Sequence, residues 1–126
     1  MTKLFQFIVI PEALQDRSRV DALKARLDWG EPALTIIDVR DRAAFNASHI
    51  MGAIAMPIQE LVTQASASLE FIREIYVYGE TEEQTAEAAS KLREAGYQHI
   101  AELVGGLAAW KRAKYPIDGS FSAAVG

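Results

Sequence analysis

The chain has 126 residues, half of them apolar and 24% charged, with a formal net charge of −4. This composition suits one folded unit with a buried core and excludes intrinsic disorder, and the acidic balance disfavours unassisted binding to nucleic acid or to an anionic membrane. No cysteine occurs anywhere, which excludes disulfides, thiolate metal sites and every mechanism built on a cysteine nucleophile.

The apolar run Leu4 to Ile10, interrupted by Gln6 and stopped by Pro11, is too short to span a membrane and lacks a small-residue cleavage site. It reads as a strand, and the protein as cytoplasmic. Ser18 with Asp21 reads as a helix start; Val20, Leu23 and Leu27 recur at helical spacing, and Gly30 with Pro32 ends the element. Ala33 to Val39 is an apolar, β-branched run, the pattern of a strand covered on both faces. A short helix is expected at DRAAFNA, then a turn through His49 and Gly52, then a short strand stopping at Pro57. The segment IQELVTQASASL reads as helical at first and loop afterwards.

IYVY is a buried strand, and Thr81 to Ala95 is a helix with Ala86, Ala89 and Leu92 or Arg93 on one stripe and Gly96 as its stop. HIAELVG is a further strand, and GLAAWKRAKY a last helix ended before Pro116. No repeat or linker interrupts the sequence, so one domain is expected over residues 1–126, its core spanning about 18–117. Alternating strands and helices predict an α/β fold, a mostly parallel sheet with helices on both faces. Ligands of such sheets sit outside the C-terminal strand ends, and Tyr78 to Thr81 is one of those ends.

Together, IIDVRDRAAFNASHIMGAIAMPI, then IYVY with its six-residue loop, then AEAASKLREAGYQHIAELVGGLAAW resemble the rhodanese-like domain, the single-domain sulfurtransferase fold. The resemblance rests on Asp38, Arg40, Phe45, His49, Ile50, Gly52, Ala53 and Pro57 in the first half, and on Gly96, Tyr97, Gly105, Gly106 and Trp110 in the second. It implies that the loop after IYVY should begin with a catalytic cysteine and carry arginines and a glycine. Here that loop reads Gly79, Glu80, Thr81, Glu82, Glu83, Gln84. Glycine stands at the cysteine position, Glu80 and Gln84 stand where arginine is common, and Glu82 falls near the glycine position. Ala44, Ser48 and Ala55 depart from the pattern upstream.

Sulfur transfer of this type needs a thiolate to attack a donor and hold a persulfide, which glycine cannot do. Anionic donors also need positive charge and free N–H groups. The sequence assigns those N–H groups elsewhere: TEEQ is a capping box in which Thr81 accepts from the Gln84 N–H and the Gln84 side chain reaches back. Glu82 and Glu83 then occupy the first helical turn, where the dipole favours acids by roughly 0.3–1 kcal/mol each. The acidic triplet reads either as a well-capped helix start or as a docking spot for a protein partner with a basic segment.

Asp38, Arg40 and His49 are expected to support the loop structurally. A serine preceding a histidine in sequence makes no dyad at Ser48–His49, and the spacing of His49 and His99 makes no metal site. Lys111, Arg112 and Lys114 read as cations at a helix C-terminus, not a nucleic-acid patch. No catalytic residue, metal or cofactor is assigned. The sequence predicts a catalytically inactive binding or regulatory module. Two alternatives stand beside it: an enzyme of another class using the acidic loop, and a sulfurtransferase relying on a partner's thiol.

Overall fold

The five-residue runs LTIID, EIYVY and HIAEL are each apolar on both faces, so each needs cover above and below, and a parallel sheet between helices supplies it. A computed structural model describes residues 13–30 and 33–120. In chain order the elements are β1 (Arg17–Ser18), α1 (Val20–Trp29), β2 (Leu34–Asp38), α2 (Arg42–Ala47), β3 (His49–Ile50), β4 (Ile54–Ala55), α3 (Leu61–Ser68), β5 (Glu74–Tyr78), α4 (Glu82–Glu94), β6 (His99–Leu103), α5 (Gly106–Arg112) and β7 (Ile117–Asp118). Five strands form one sheet in the order β1-β6-β5-β2-β4, with every recorded pairing parallel. Beside it, β3 and β7 pair antiparallel. The expected α/β architecture is the observed one.

Successive side chains of the central strands face opposite sides. Ile37, Ile75, Val77 and Ile100 meet Leu61 and Ala65 of α3 and Ala88, Ala89 and Leu92 of α4. Ile36, Tyr76, Tyr78, Ala101 and Leu103 meet Val20 and Leu23 of α1 and Leu107 and Trp110 of α5. Each fully buried aliphatic side chain contributes about 1.5–3 kcal/mol relative to exposure. The Trp110 indole N–H also donates to the Pro116 carbonyl at 2.7 Å, fixing the chain as it leaves α5 toward β7.

Several expectations are corrected. Ser18 does not cap α1: it is buried in β1 opposite Leu103, and Arg19 is the N-cap with no side-chain hydrogen bond. Arg26, on the same helix, is buried and donates to the Tyr76 hydroxyl and the Glu74 carboxylate, polar partners nearly fifty positions away that helical spacing cannot reveal. In IQELVTQASASL the order is reversed, a turn through Glu60 preceding α3. The buried stripe of α4 is Thr85, Ala88, Ala89 and Leu92, and Ala86 is exposed. The last helix stops at Arg112, with Lys114 at a φ of 63°. No element is expected after Pro116, yet Ile117–Asp118 forms β7 against β3. Gly96 does stop α4, at a φ of 110° that a side chain would strain, while the Tyr97 N–H returns to the Leu92 carbonyl at 3.1 Å. The expected strand Leu4 to Ile10, and Pro32, lie outside the described residues.

The corrected stripe can be checked with one chemical change at two neighbouring positions. Ala88→Leu should destabilise the protein by about 1–3 kcal/mol through overpacking, and Ala86→Leu should stay within about 0.5 kcal/mol of the parent. Urea unfolding of the two variants measures both.

Candidate functional site

At the C-terminal rim of the sheet, β2 and β5 end in register, Asp38 opposite Tyr78. Asp38 is fully buried, and its carboxylate accepts from the backbone N–H of Arg40 at 2.9 Å, from Nε at 3.0 and 3.1 Å and from Nη2 at 2.7 Å. Arg40 Nη2 also donates to the Ser48 carbonyl at 2.6 Å and the Ala44 carbonyl at 3.4 Å, so the pair ties the end of β2 to the end of α2. Burial opposes the guanidinium charge. Hydrogen bonds and attraction from Asp38, with smaller contributions from Tyr78 and Glu80, nonetheless hold its pKa above the usual arginine value. The guanidinium carbon lies 5.7 Å from the Tyr78 ring centre.

Tyr78 is the last residue of β5 and fully buried. Its hydroxyl accepts from the Ile50 N–H at 3.0 Å, while its carbonyl accepts from Val39 N–H at 3.0 Å. Burial, reinforced by the Asp38 charge, drives the phenol pKa far above its ordinary value of 10.0.

The loop follows. The Gly79 N–H donates to the Thr85 hydroxyl at 2.8 Å, and that hydroxyl donates in turn to the Thr81 carbonyl at 3.0 Å. The Glu80 N–H donates to Gln84 Oε1 at 2.7 Å, and the Gln84 N–H donates to the Thr81 hydroxyl at 3.1 Å. Thr81 is therefore the N-cap of α4, and Gln84 returns to the residue before the cap, not to the cap itself as a capping box would have it. Glu82 and Glu83 lie in the first turn. The Glu82 carboxylate accepts from the Gly105 N–H at 3.3 Å and approaches Arg17 at 3.9 Å, joining the starts of α4 and α5 to β1.

Two cavities flank this loop. One of about 280 Å³ is lined by Arg40, Ser48, Gly79, Glu80, Gly105 and Lys111, among others. The other, about 240 Å³, lies over Gly79 to Glu82 against Thr85 and Gly105. Glu80 and Glu83 are exposed. His49 lines neither cavity: it stacks on Phe45 with ring centres 3.7 Å apart, and its Nδ1 lies 2.7 Å from the Phe45 carbonyl. Its neighbour Ile50 makes the contact with Tyr78 instead. Among the described residues no group of three or more His, Asp or Glu side chains is placed to hold a metal ion.

Sequence reasoning placed Tyr78 at the strand end beside the site but gave no site role to Thr85, Ser48, Gly105, Arg17 or Lys111. Thr85 was legible only as the fourth residue of a helix, and Lys111 was assigned to the dipole of α5. Lys111 and Arg40 show that the cavity wall is of mixed charge, not purely acidic. Gly79 is not required by the backbone. The turn does not demand its conformational freedom, since its φ lies outside the left-handed region that other glycines here occupy.

The rhodanese-like domain model matches residues 19–113, three-quarters of the chain. The chain belongs to the rhodanese-like family. A crystal structure of the Alr3790 protein from Anabaena superimposes with a TM-score of 0.80 at 59% identity, covering 81% of this chain and 91% of that one. An uncharacterized protein of Synechocystis, slr1261, is 31% identical over 86 residues, 68% of this chain and 48% of that protein. The thiosulfate sulfurtransferase GlpE of Haemophilus influenzae is 30% identical over 86 residues, covering 68% of this chain and 81% of that protein. The chain thus spans half or less of the first curated relatives it matches. As a rhodanese-like domain it carries Gly79 where the resemblance puts the catalytic cysteine, and has no cysteine elsewhere. No helix among the described residues is long and apolar enough to cross a membrane.

The buried pair generates one prediction. Asp38→Ala should destabilise the fold by about 3–5 kcal/mol, because it strands the Arg40 charge inside the rim; chemical unfolding at neutral pH measures it. Tyr78 generates another. Its folded pKa is raised, so its contribution is fully present below about pH 10 and is lost as pH rises further, when the unfolded chain ionises and the native one does not. Unfolding free energy should fall by about 1.4 kcal/mol per pH unit for this group above pH 10. Tyr78→Phe should remove that share of the slope while lowering stability at neutral pH by about 1–3 kcal/mol, because the Ile50 N–H loses its acceptor. Tyr97, also raised by burial, should leave a residual slope.

Proposed function

We propose that this rhodanese-like domain has no sulfurtransferase chemistry of its own and serves as a binding or regulatory module. The observation that carries the reading is the internal occupation of the loop that begins at Gly79. A persulfide site needs a sulfur atom at that position and loop N–H groups turned toward it. Here the residue has no side chain, and the N–H groups of Gly79 and Glu80 are already satisfied by Thr85 and Gln84. The name of GlpE as a thiosulfate sulfurtransferase describes that relative. The chemistry transfers to this chain only if a thiol comes from outside it.

The outward-facing part of the loop supports the positive half of the proposal. Glu80, Glu82 and Glu83 are all exposed on the rim, Glu82 reaching also to Gly105 and Arg17. A protein segment carrying lysine or arginine is the partner whose charge complements them, with association that weakens as salt rises.

Thiosulfate-to-cyanide sulfur transfer by the purified chain should not exceed the protein-free blank, and a clear protein-dependent rate overturns the inactive reading. Gly79→Cys alone should leave turnover near that blank, because Gln84 and Glu80 still stand against the donor. Robust turnover from this one substitution would show that the remaining loop is competent for catalysis.

A further inference from the structure

Position 79 is open to any residue by backbone conformation but closed by its surroundings. A Cβ built on Gly79 would lie 2.6 Å from Gln84 Oε1 and 3.1 Å from both Cβ and Cγ of the same side chain. All three nearest atoms belong to Gln84. Its Oε1 is in turn fixed by the Glu80 N–H at 2.7 Å, a bond that orients the amide unambiguously because a backbone donor requires the oxygen. Among the described residues the amide nitrogen of Gln84 has no recorded hydrogen-bond partner, so the side chain is held at its oxygen alone. Both cavities border Gly79 and Glu80, the residues this amide touches.

From these contacts we infer that Gln84 is an internal plug: its carboxamide occupies the space of a side chain at position 79 and takes the loop N–H that an external acceptor atom would use. The device takes its meaning from the closed, non-catalytic site proposed above, but it is defined by contacts within this chain alone. Displacing Gln84 frees the Glu80 N–H and opens the volume beside Gly79 in one movement. An anion is a poor competitor for that N–H with the Glu80 carboxylate close by. A neutral acceptor, such as a peptide carbonyl flanked by a basic side chain, matches both the donor and the exposed acids.

A four-protein comparison tests the plug without any partner: the parent chain, Gly79→Ala, Gln84→Ala and the double variant. With Gln84 present, a methyl group at position 79 must push the carboxamide aside and strain its bond to the Glu80 N–H. With Gln84 trimmed to alanine, Oε1 and Cγ are gone and only the Cβ at 3.1 Å remains of the three nearest atoms, so the methyl group meets less opposition and gains from restricting the unfolded chain. The change in melting temperature caused by Gly79→Ala should therefore be more favourable by about 3–5 °C in the Gln84→Ala background than in the parent. Equal shifts in the two backgrounds overturn the inference. As a second readout, the Glu80 amide proton should exchange with solvent about tenfold faster in Gln84→Ala than in the parent, where one net hydrogen bond protects it; an unchanged rate overturns it as well. Neither result bears on sulfur transfer, so the plug and the inactive reading fail separately.

Discussion

The C-terminal rim of this domain is organised by one buried ion pair. Asp38 has no exposure and would be a severe liability alone, since an isolated carboxylate in a low-dielectric interior loses several kcal/mol of hydration. Arg40 offsets this with four hydrogen-bond contacts to the same carboxylate. Its Nη2 also donates to the Ala44 and Ser48 carbonyls, in and just after α2. Because Asp38 is paired in register with Tyr78, the residue on which the pair rests is also the one that aims the loop. Tyr78 completes the arrangement by taking the Ile50 N–H, so β2, β3 and β5 converge on one polar cluster inside an apolar fold. Such clusters are costly when incomplete and rigid when complete.

On that fixed rim the loop meets its own hydrogen-bonding demand. The start of a helix leaves N–H groups without partners and attracts negative charge, which makes it a natural receptor for anions. Here the receptor is supplied from within: hydroxyls from Thr81 and Thr85, a carboxamide from Gln84, and the Glu82 carboxylate on the neighbouring Gly105 N–H. Each bond is worth about 0.5–1.5 kcal/mol net. A ligand using the same donors would have to displace groups already tethered beside them. What the segment gains in stability it loses as a site for external anions, a trade familiar wherever strained or unsatisfied functional groups are relaxed.

The fold was legible because it is written in local patterns. The runs at Ala33–Val39 and Ile75–Tyr78 and the stop at Gly96 are short-range signals, and they led to the observed α/β sheet. Errors arose where a distant partner decided the outcome. Ser18 looks like a helix cap until its strand pairs with Leu103, and no local signal marks Arg26 as the buried partner of Tyr76 and Glu74. At the candidate site the sequence revealed the missing nucleophile, the N-cap and the acidic first turn. It could not reveal that the Gln84 return bond lands on Glu80, that Thr85 takes the Gly79 N–H, or that Lys111 of α5 forms part of the same cavity wall. Those facts depend on how one loop and three elements meet in space.

Gly79 is where these strands of reasoning join. Glycine in a tight turn is usually explained by a backbone conformation other residues avoid, and that explanation does not apply here. The constraint is instead one of volume, imposed by the side chain five positions later. Glycine and glutamine are thus matched in space: a side chain at position 79 would crowd the Gln84 carboxamide where it now accepts the Glu80 N–H. Loss of a thiol from such a loop would ordinarily leave a void and an unpaired donor, both destabilising. The glutamine meets both defects at once: its carboxamide lies in the space beside Gly79, and its Oε1 accepts the Glu80 N–H.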